Sequence, residues 1–371
     1  MLFLGERAQQ SLLLKYNIAR HYCLGNGGKM KLVENNKRIS MLGLVKFLAA
    51  LAILIYHIRG GYVHGGQTYL LVEFFFFITG YFTFRHFRKK GVRGKTREEK
   101  SKNAITYTIK KFLPMLPFII FALILKYITL FLVYGKGGNI LEIARTIPFN
   151  FLLLGSQVNV YTCPLWFLSA MIIVFPVFSY ICQTKHKNTL YIAAFAGVIV
   201  YYFNFFLDHI TGVNALIRAF FGMFTGILIY ALSEYIRGLK STGKLRALLL
   251  AIEILSFAII VLGLYPSIDS NGVWYYTRIS LIFYVFYLSV LLSGKTITSK
   301  ISSPLMDYLE RLSMIVYMIH FPIIRLVGTL IIPGNSKRVI ILVAAISIVS
   351  SIILNFVVSF IKKRHIVTKR N

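Results

Sequence analysis

The sequence is poor in acid: 12 aspartates and glutamates stand against 42 lysines and arginines. So basic a chain suits nucleic-acid binding when its cations gather on a folded polar surface. Here they sit in short segments between apolar runs, the pattern of loops facing an anionic leaflet, and nucleic acid is not an expected partner. Cysteine is also scarce. Cys23, Cys163 and Cys182 show neither metal-ligand spacing nor an even-numbered framework, so no metal site and no disulfide scaffold is expected. The first 29 residues lack the small-residue cleavage site of a signal peptide. No repeat links residues 38–190 with 190–361, as an inverted-repeat transporter would require.

Long apolar runs are what the sequence has in abundance, and with 57% hydrophobic residues they exclude a single soluble core. Stretches of about twenty such residues predict an all-α membrane protein with about ten transmembrane helices, at 40–58, 69–86, 112–134, 163–182, 189–207, 214–236, 247–265, 275–293, 309–331 and 338–361. Residues 145–155 form an apolar piece too short to span, expected to be re-entrant or to lie along the outer interface.

Lysine and arginine alternate in density between successive connections. Residues 1–38 carry seven, Arg85 to Lys111 eleven, 237–246 four and the tail from Lys362 five. The intervening loops are nearly bare: 135–162 has Lys136 and Arg145, 208–214 has none, and 332–337 has Lys337. Positive residues stay on the cytoplasmic side. Both termini are therefore expected inside, which agrees with an even number of spans. The predicted division is a cytoplasmic segment 1–38, a membrane domain 39–361 and a basic tail 362–371. Gly27-Gly28-Lys29-Met30 suggests another start, because Gly-Gly-Lys codons are purine-rich and can encode a ribosome-binding sequence; Met30 is the expected native start.

An ionised side chain inside a span is costly, and such groups are functional candidates by default. Arg278, Arg325 and Lys126 lie near span ends, where snorkelling is one account of them and a site role the other. Lys46 and His57 are different. Eleven residues apart, they share one face of the first span about 16 Å apart along its axis. His57 then lies toward the outer half of the membrane, as an interfacial histidine bonded to a carbonyl or as a reacting group. Glu73 enters the aromatic second span beside the outer end of the first, within expected reach of His57. A carboxylate there fixes the imidazole tautomer and supports a general base. Arg218 enters the sixth span from outside, where arginine is disfavoured, and is expected to hold an anionic group or a carboxylate. Ser313, Tyr317 and His320 share one stripe of the ninth span, lining a cavity or packing between helices.

Five segments, in order over about residues 38–360, resemble the acyltransferase-3 family of bacterial membrane acyltransferases. Lys46 and His57 resemble its Arg-x10-His, with lysine for arginine. Val72-Glu73-Phe74-Phe75 through Thr79-Gly80 is similar to Val-Asp/Glu-x-Phe-Phe-x-x-Ser/Thr-Gly. Tyr107 to Pro114, with Lys110 and Lys111, resembles the basic Arg-Arg-x-x-Arg-x-x-Pro approach to the third helix. Leu165-Trp166-Phe167-Leu168 is the fourth segment. Leu309 to Pro322 (LERLSMIVYMIHFP) resembles Leu-Gly-x-x-Ser-x-x-Ile-Tyr-Leu-x-His-x-Pro. Met171 stands where many members have a glutamate, and the reduced pair Lys110 and Lys111 lacks arginine's bidentate geometry for phosphate. The SGNH-type esterase domain of some members is not expected here.

The resemblance implies transfer of an acyl group, commonly acetyl, from cytoplasmic acyl-CoA to a saccharide hydroxyl at the outer face of a bacterial cell membrane. Acyl-CoA would be a co-substrate, and no permanently bound cofactor is implied. Lys46, Lys110 and Lys111 would meet the donor's phosphates. His57, oriented by Glu73, would take the hydroxyl proton or carry the acyl group itself. Arg218 would neutralise an oxyanion or bind an acidic sugar. Trp166, Ser313, Tyr317 and His320 would line the acceptor path. A transporter or flippase for a lipid-linked saccharide is the rival reading.

Overall fold

The computed structural model describes residues 39–58, 68–89, 96–134, 140–151, 165–200, 202, 213–264, 270–330 and 337–368. The expected start at Met30, Cys23, Cys163 and much of the loop sequence that sets the orientation lie outside these residues. So do most of residues 201–207, the end of the fifth expected span.

Every described helix is named here in chain order: α1 (Ser40–Ile58), α2 (Leu71–Lys89), α3 (Arg97–Phe112), α4 (Leu116–Tyr134), α5 (Ile140–Phe151), α6 (Trp166–Ile181), α7 (Lys187–Val200), α8 (Val213–Gly238), α9 (Gly243–Gly263), α10 (Ser270–Ser293), α11 (Pro304–Leu330) and α12 (Lys337–Thr368). No strand occurs among the described residues. Each of the ten expected spans coincides with one of these helices. Ser40–Ile58, Arg97–Leu132, Ala215–Gly238, Gly243–Gly263 and Arg338–Ile361 are long and apolar enough to cross a membrane, and Trp166–Ile181 and Ile279–Ser293 are shorter apolar helices. Glu73, Arg85, Arg88 and Lys89 lower the apolarity of α2. That helix instead runs through the middle of the bundle, with Phe74, Phe76, Phe77, Tyr81 and Phe84 fully buried.

The outer faces invert the rule of soluble proteins. Ile120, Ile124 and Ile128 of α4, Ile254 and Leu262 of α9, and Ile353 and Phe356 of α12 are exposed. Continuous apolar surface of this kind is what lipid tails solvate.

The eleven basic residues from Arg85 to Lys111 were expected to form a loop, yet Arg97–Phe112 is helical. Thr96 caps α3, accepting from the Glu99 amide while the Glu99 carboxylate accepts from the Thr96 amide. This capping box starts a helix in polar sequence. A short 3-10 turn, Leu113–Met115, joins α3 to α4. The apolar piece at 145–155 falls largely within α5, a twelve-residue helix packed on α4 through a Tyr127–Thr146 hydroxyl contact of 3.0 Å.

Two helix pairs organise the site. α1 packs along α11 and α2 along α8. A Cβ on Gly43 would lie 2.7 Å from the Met306 oxygen. The Lys46–Glu310 and His57–His320 contacts follow in the same sequence direction. α1 and α11 are therefore parallel, as spans one and nine of an alternating bundle must be. Likewise Glu73 meets Arg218, Gly80 meets Met223 and Tyr81 meets Tyr230, so α2 and α8 are parallel, as spans two and six. Glycine is required at this second seam. A Cβ on Gly80 would sit 2.1 Å from the Met223 oxygen, and one on Gly226 would sit 2.4 Å from the Phe77 oxygen. Small residues let backbones approach closely where lipid supplies no hydrophobic drive.

Candidate active site

The parallel pairs sort the charged side chains into two levels. Lys46 near the start of α1, Arg85 and Arg88 near the end of α2, Lys110 and Lys111 at the end of α3 and Arg237 at the end of α8 mark a basic end of the bundle. His57, Glu73, Trp166 and Arg218 lie within six residues of the other ends of α1, α2, α6 and α8.

At the far level, the His57 and His320 rings stack, with centroids 5.3 Å apart and planes inclined by 30°. The Phe321 ring meets His57 edge-on at 5.7 Å. His320 is fully buried, and its Nδ1 lies 2.7 Å from the Tyr317 carbonyl oxygen. A carbonyl only accepts, so Nδ1 donates and the neutral ring keeps its lone pair on Nε2. Nε2 has no hydrogen-bond partner among the described residues.

Beside this pair lies a second polar centre. Arg218 Nε donates to Glu73 Oε1 at 2.7 Å, and its Nη2 lies 2.6 Å from the same oxygen. Both side chains are nearly inaccessible, at 6% and 0% exposed. The guanidinium also covers the Trp166 ring at 5.0 Å, a cation–π contact made strong by desolvation. Glu73 Oε2 has no hydrogen-bond partner among the described residues. The carboxylate expected at His57 is thus engaged by Arg218. The physical reason is the α2–α8 seam: Gly222 brings α8 against Phe76 and within 3.4 Å of Glu73 Oε2, measured from an added Cβ, so a guanidinium one turn earlier reaches the carboxylate. In a dry site that charge match outweighs a bond to an imidazole.

Aromatic rings join the two centres. Tyr317 lies 5.8 Å from His320 and 5.6 Å from Phe167; Phe167 lies 4.6 Å from Phe76, and Phe76 lies 6.3 Å from Trp166. Phe75 also meets Tyr317, at 6.1 Å. The site therefore has a continuous aromatic wall drawn from α2, α6 and α11. Ser313 is buried but donates to the Glu310 carbonyl at 2.8 Å, about two turns of α11 nearer the basic end than His320.

At the basic end Lys46 Nζ donates to Glu310 Oε1 at 2.6 Å, with the two side chains 15% and 20% exposed. Lys46 also lies 5.6 Å from the Phe82 ring, and Lys111 lies within electrostatic range of it while covering the Tyr107 ring at 5.6 Å. His86 stacks on Tyr107 at 4.3 Å. Lys110 is exposed. The structure brings Lys46 and Lys111 into one cluster. It adds Glu310, which sequence reasoning did not single out. The signal was present: lysine stands where the resembled pattern has arginine, glutamate stands where it has glycine, and these two departures bond to each other. Lys126 and Arg325 lie over the Tyr127 and Phe321 rings at 5.7 and 5.3 Å.

A multi-pass helical bundle whose buried polar centre lies at the end opposite a basic cluster is the architecture of an integral membrane enzyme or carrier. Comparison with protein families separates the two, because the acyltransferase-domain model of the acyltransferase-3 family matches residues 40–362. The chain belongs to the acyltransferase-3 family, and it is a membrane acyltransferase. No curated protein and no solved structure matches it.

Proposed function

We propose that this acyltransferase moves an acyl group, most simply acetyl, from cytoplasmic acyl-CoA to a hydroxyl of an extracytoplasmic or lipid-linked saccharide at a bacterial cytoplasmic membrane. The carrying observation is the stacked pair of half-buried His57 and fully buried His320, held in an aromatic site about 16 Å along α1 from a basic cluster. An imidazole there serves an acyl transfer, as base or as nucleophile. A pantetheine-like arm is long and thin enough to cover that distance.

In this reading Lys46, Lys110 and Lys111 receive the donor's phosphates, and basic residues of the cytoplasmic side favour them electrostatically. His57 is the reacting imidazole. Arg218 stabilises the oxyanion that forms when the thioester carbonyl is attacked. Glu73 serves catalysis through Arg218, fixing the guanidinium over Trp166 so that no reorganisation is needed as charge develops. Trp166, Tyr317 and His320 line the acceptor path, and Ser313 lies between the donor and reaction levels.

The test supplies isotope-labelled acetyl-CoA to membranes containing the full chain, together with glycans from a deletion strain. Free CoA and labelled glycan are expected from the native protein, and His57→Ala is expected to yield neither. Unchanged transfer by His57→Ala would sink the assignment. Mass spectrometry of surface glycans from the deletion strain identifies the acyl mass and the acceptor.

A further inference from the structure

Under a single-base mechanism, one of two stacked imidazoles has no task. His320 has no exposed surface, its Nδ1 hydrogen is committed to the Tyr317 carbonyl, and its Nε2 lone pair has no hydrogen-bond partner among the described residues. An unmet buried acceptor is costly, and such groups are retained where they are used. The surrounding frame holds this one firmly. The Gly43 approach, the Lys46–Glu310 bond and the ring stacking all fix α11 against α1, and Tyr317 packs against the His320 ring at 5.8 Å.

The second imidazole answers a chemical need that arises if His57 is acylated. Acylation occupies one His57 nitrogen and draws electron density from the other, so the acyl-imidazole is a poor base for the proton of the incoming hydroxyl. We infer that His320 is the base of the acceptor half-reaction, its Nε2 taking the hydroxyl proton while His57 carries the acyl group. The inference rests on the reading of His57 above, in its covalent form.

In the first half-reaction a His57 nitrogen bonds to the thioester carbonyl carbon and the carbon–sulfur bond breaks. The sulfur leaves with the bonding pair and takes the His57 ring proton, giving free CoA thiol and neutral acyl-His57. In the second, the acceptor oxygen bonds to the acyl carbon as its proton passes to His320 Nε2. The carbon–nitrogen bond breaks with its electron pair returning to His57. His320, now an imidazolium held at its Nδ1–H by Tyr317, passes a proton to the adjacent His57 ring, which restores both residues. No oxidant, metal or further reactant is required.

The experiment uses the full chain in lipid nanodiscs with acetyl-CoA labelled in the acetyl group, first without acceptor and then chased with membranes from the deletion strain. His320→Asn is the informative variant, because its side-chain amide keeps a donor near the Tyr317 carbonyl and removes the Nε2 base together with the rest of the ring. The native protein is expected to release about one CoA per chain, in keeping with a burst of acyl-enzyme, to retain the label on protein, and to pass it to glycan on chase. His320→Asn is expected to give the same burst and to hold its label through the chase, slowing transfer by about 100- to 10,000-fold, the usual worth of a general base. The chase should also lose its dependence on a titrating base across the pH profile. His320→Gln, with its amide in a different place, guards against a folding defect peculiar to one variant. Native-rate transfer by both variants would overturn the inference. So would loss of burst and transfer together in variants that melt like the native protein, because His320 would then serve the first step or only the packing. Failure of the His57 reading looks different: His57→Ala would keep the burst, or the native protein would release CoA only when acceptor is present.

Discussion

The α1–α11 and α2–α8 pairs are built alike and charged differently. Both are parallel, both are drawn together at glycines, and both are bridged by one acid and one base. The Glu73–Arg218 bridge is almost wholly shut from solvent, whereas Lys46 and Glu310 keep 15% and 20% of their side chains exposed. A closed pair resists rearrangement, because parting it strands a charge in a dry interior. A pair with solvent at hand exchanges partners at little cost. The first therefore suits a group that must stand still while charge develops. The second suits a site where a phosphate displaces a carboxylate. One bundle thus keeps a fixed electrostatic element and a replaceable one on two seams of the same geometry.

Breaking the closed bridge should have the largest effect. Arg218→Ala leaves the Glu73 carboxylate buried and uncompensated, with an expected loss of about 3–5 kcal/mol, seen as a lowered melting temperature and aggregation in detergent. The double replacement Glu73→Gln with Arg218→Met should regain most of the stability and none of the transfer. Next is the glycine seam. Gly80→Ala drives a methyl into the Met223 carbonyl at 2.1 Å, and overpacking of this kind costs about 1–3 kcal/mol. Its activity should fall in step with folded protein. If Gly80→Ala melted like the native chain, the close α2–α8 approach would be wrong.

Smaller and kinetic effects are expected on the open bridge. With acyl-CoA as the proposed donor, Lys46→Ala should raise its KM about tenfold, on the order of a lost charge-assisted contact, with kcat changed less. Glu310→Gln frees the Lys46 ammonium for phosphate and should lower that KM by a few fold, within about 1 kcal/mol. A rise in KM for Glu310→Gln would mean that the carboxylate positions Lys46 rather than competing for it. Lys46→Arg should be the mildest of the set, within about threefold in KM, since charge and partner are both kept. Raised ionic strength should narrow all three differences, read from KM measured across salt.

These outcomes depend on contacts that the sequence showed unevenly. Apolar runs located helices at all ten expected positions because span length is set by membrane thickness, a local constraint. α3 escaped because its lysines and arginines read as loop, although Thr96 and Glu99 stood at capping-box spacing. Lys46 and His57 on one face of α1 were legible from helical periodicity alone. Arg218 was expected to hold an anion or a carboxylate and Glu73 to engage a basic ring. Each was read as half of a contact, but the pairing of the two spans 145 residues and depends on which helices abut. Glu310 passed unnoticed because a glutamate beside an arginine near a helix start resembles an ordinary solvated turn. Its meaning appears only once Lys46 stands opposite.

The span from Lys46 to Glu310 is 264 residues, and it sets a timetable for synthesis. At about 5–20 residues per second, α1 enters the membrane roughly 10–50 s before the helix that completes its polar face. The Glu73–Arg218 bridge closes in about half that time. During the interval His57 is in lipid without its stacking partner, and the insertion machinery or a provisional neighbour must shelter it. On the roles proposed for His57 and His320, a chain halted before α11 would keep its rigid electrostatic seam and lack its second imidazole, so acyl transfer would begin only after nearly the whole protein has been made.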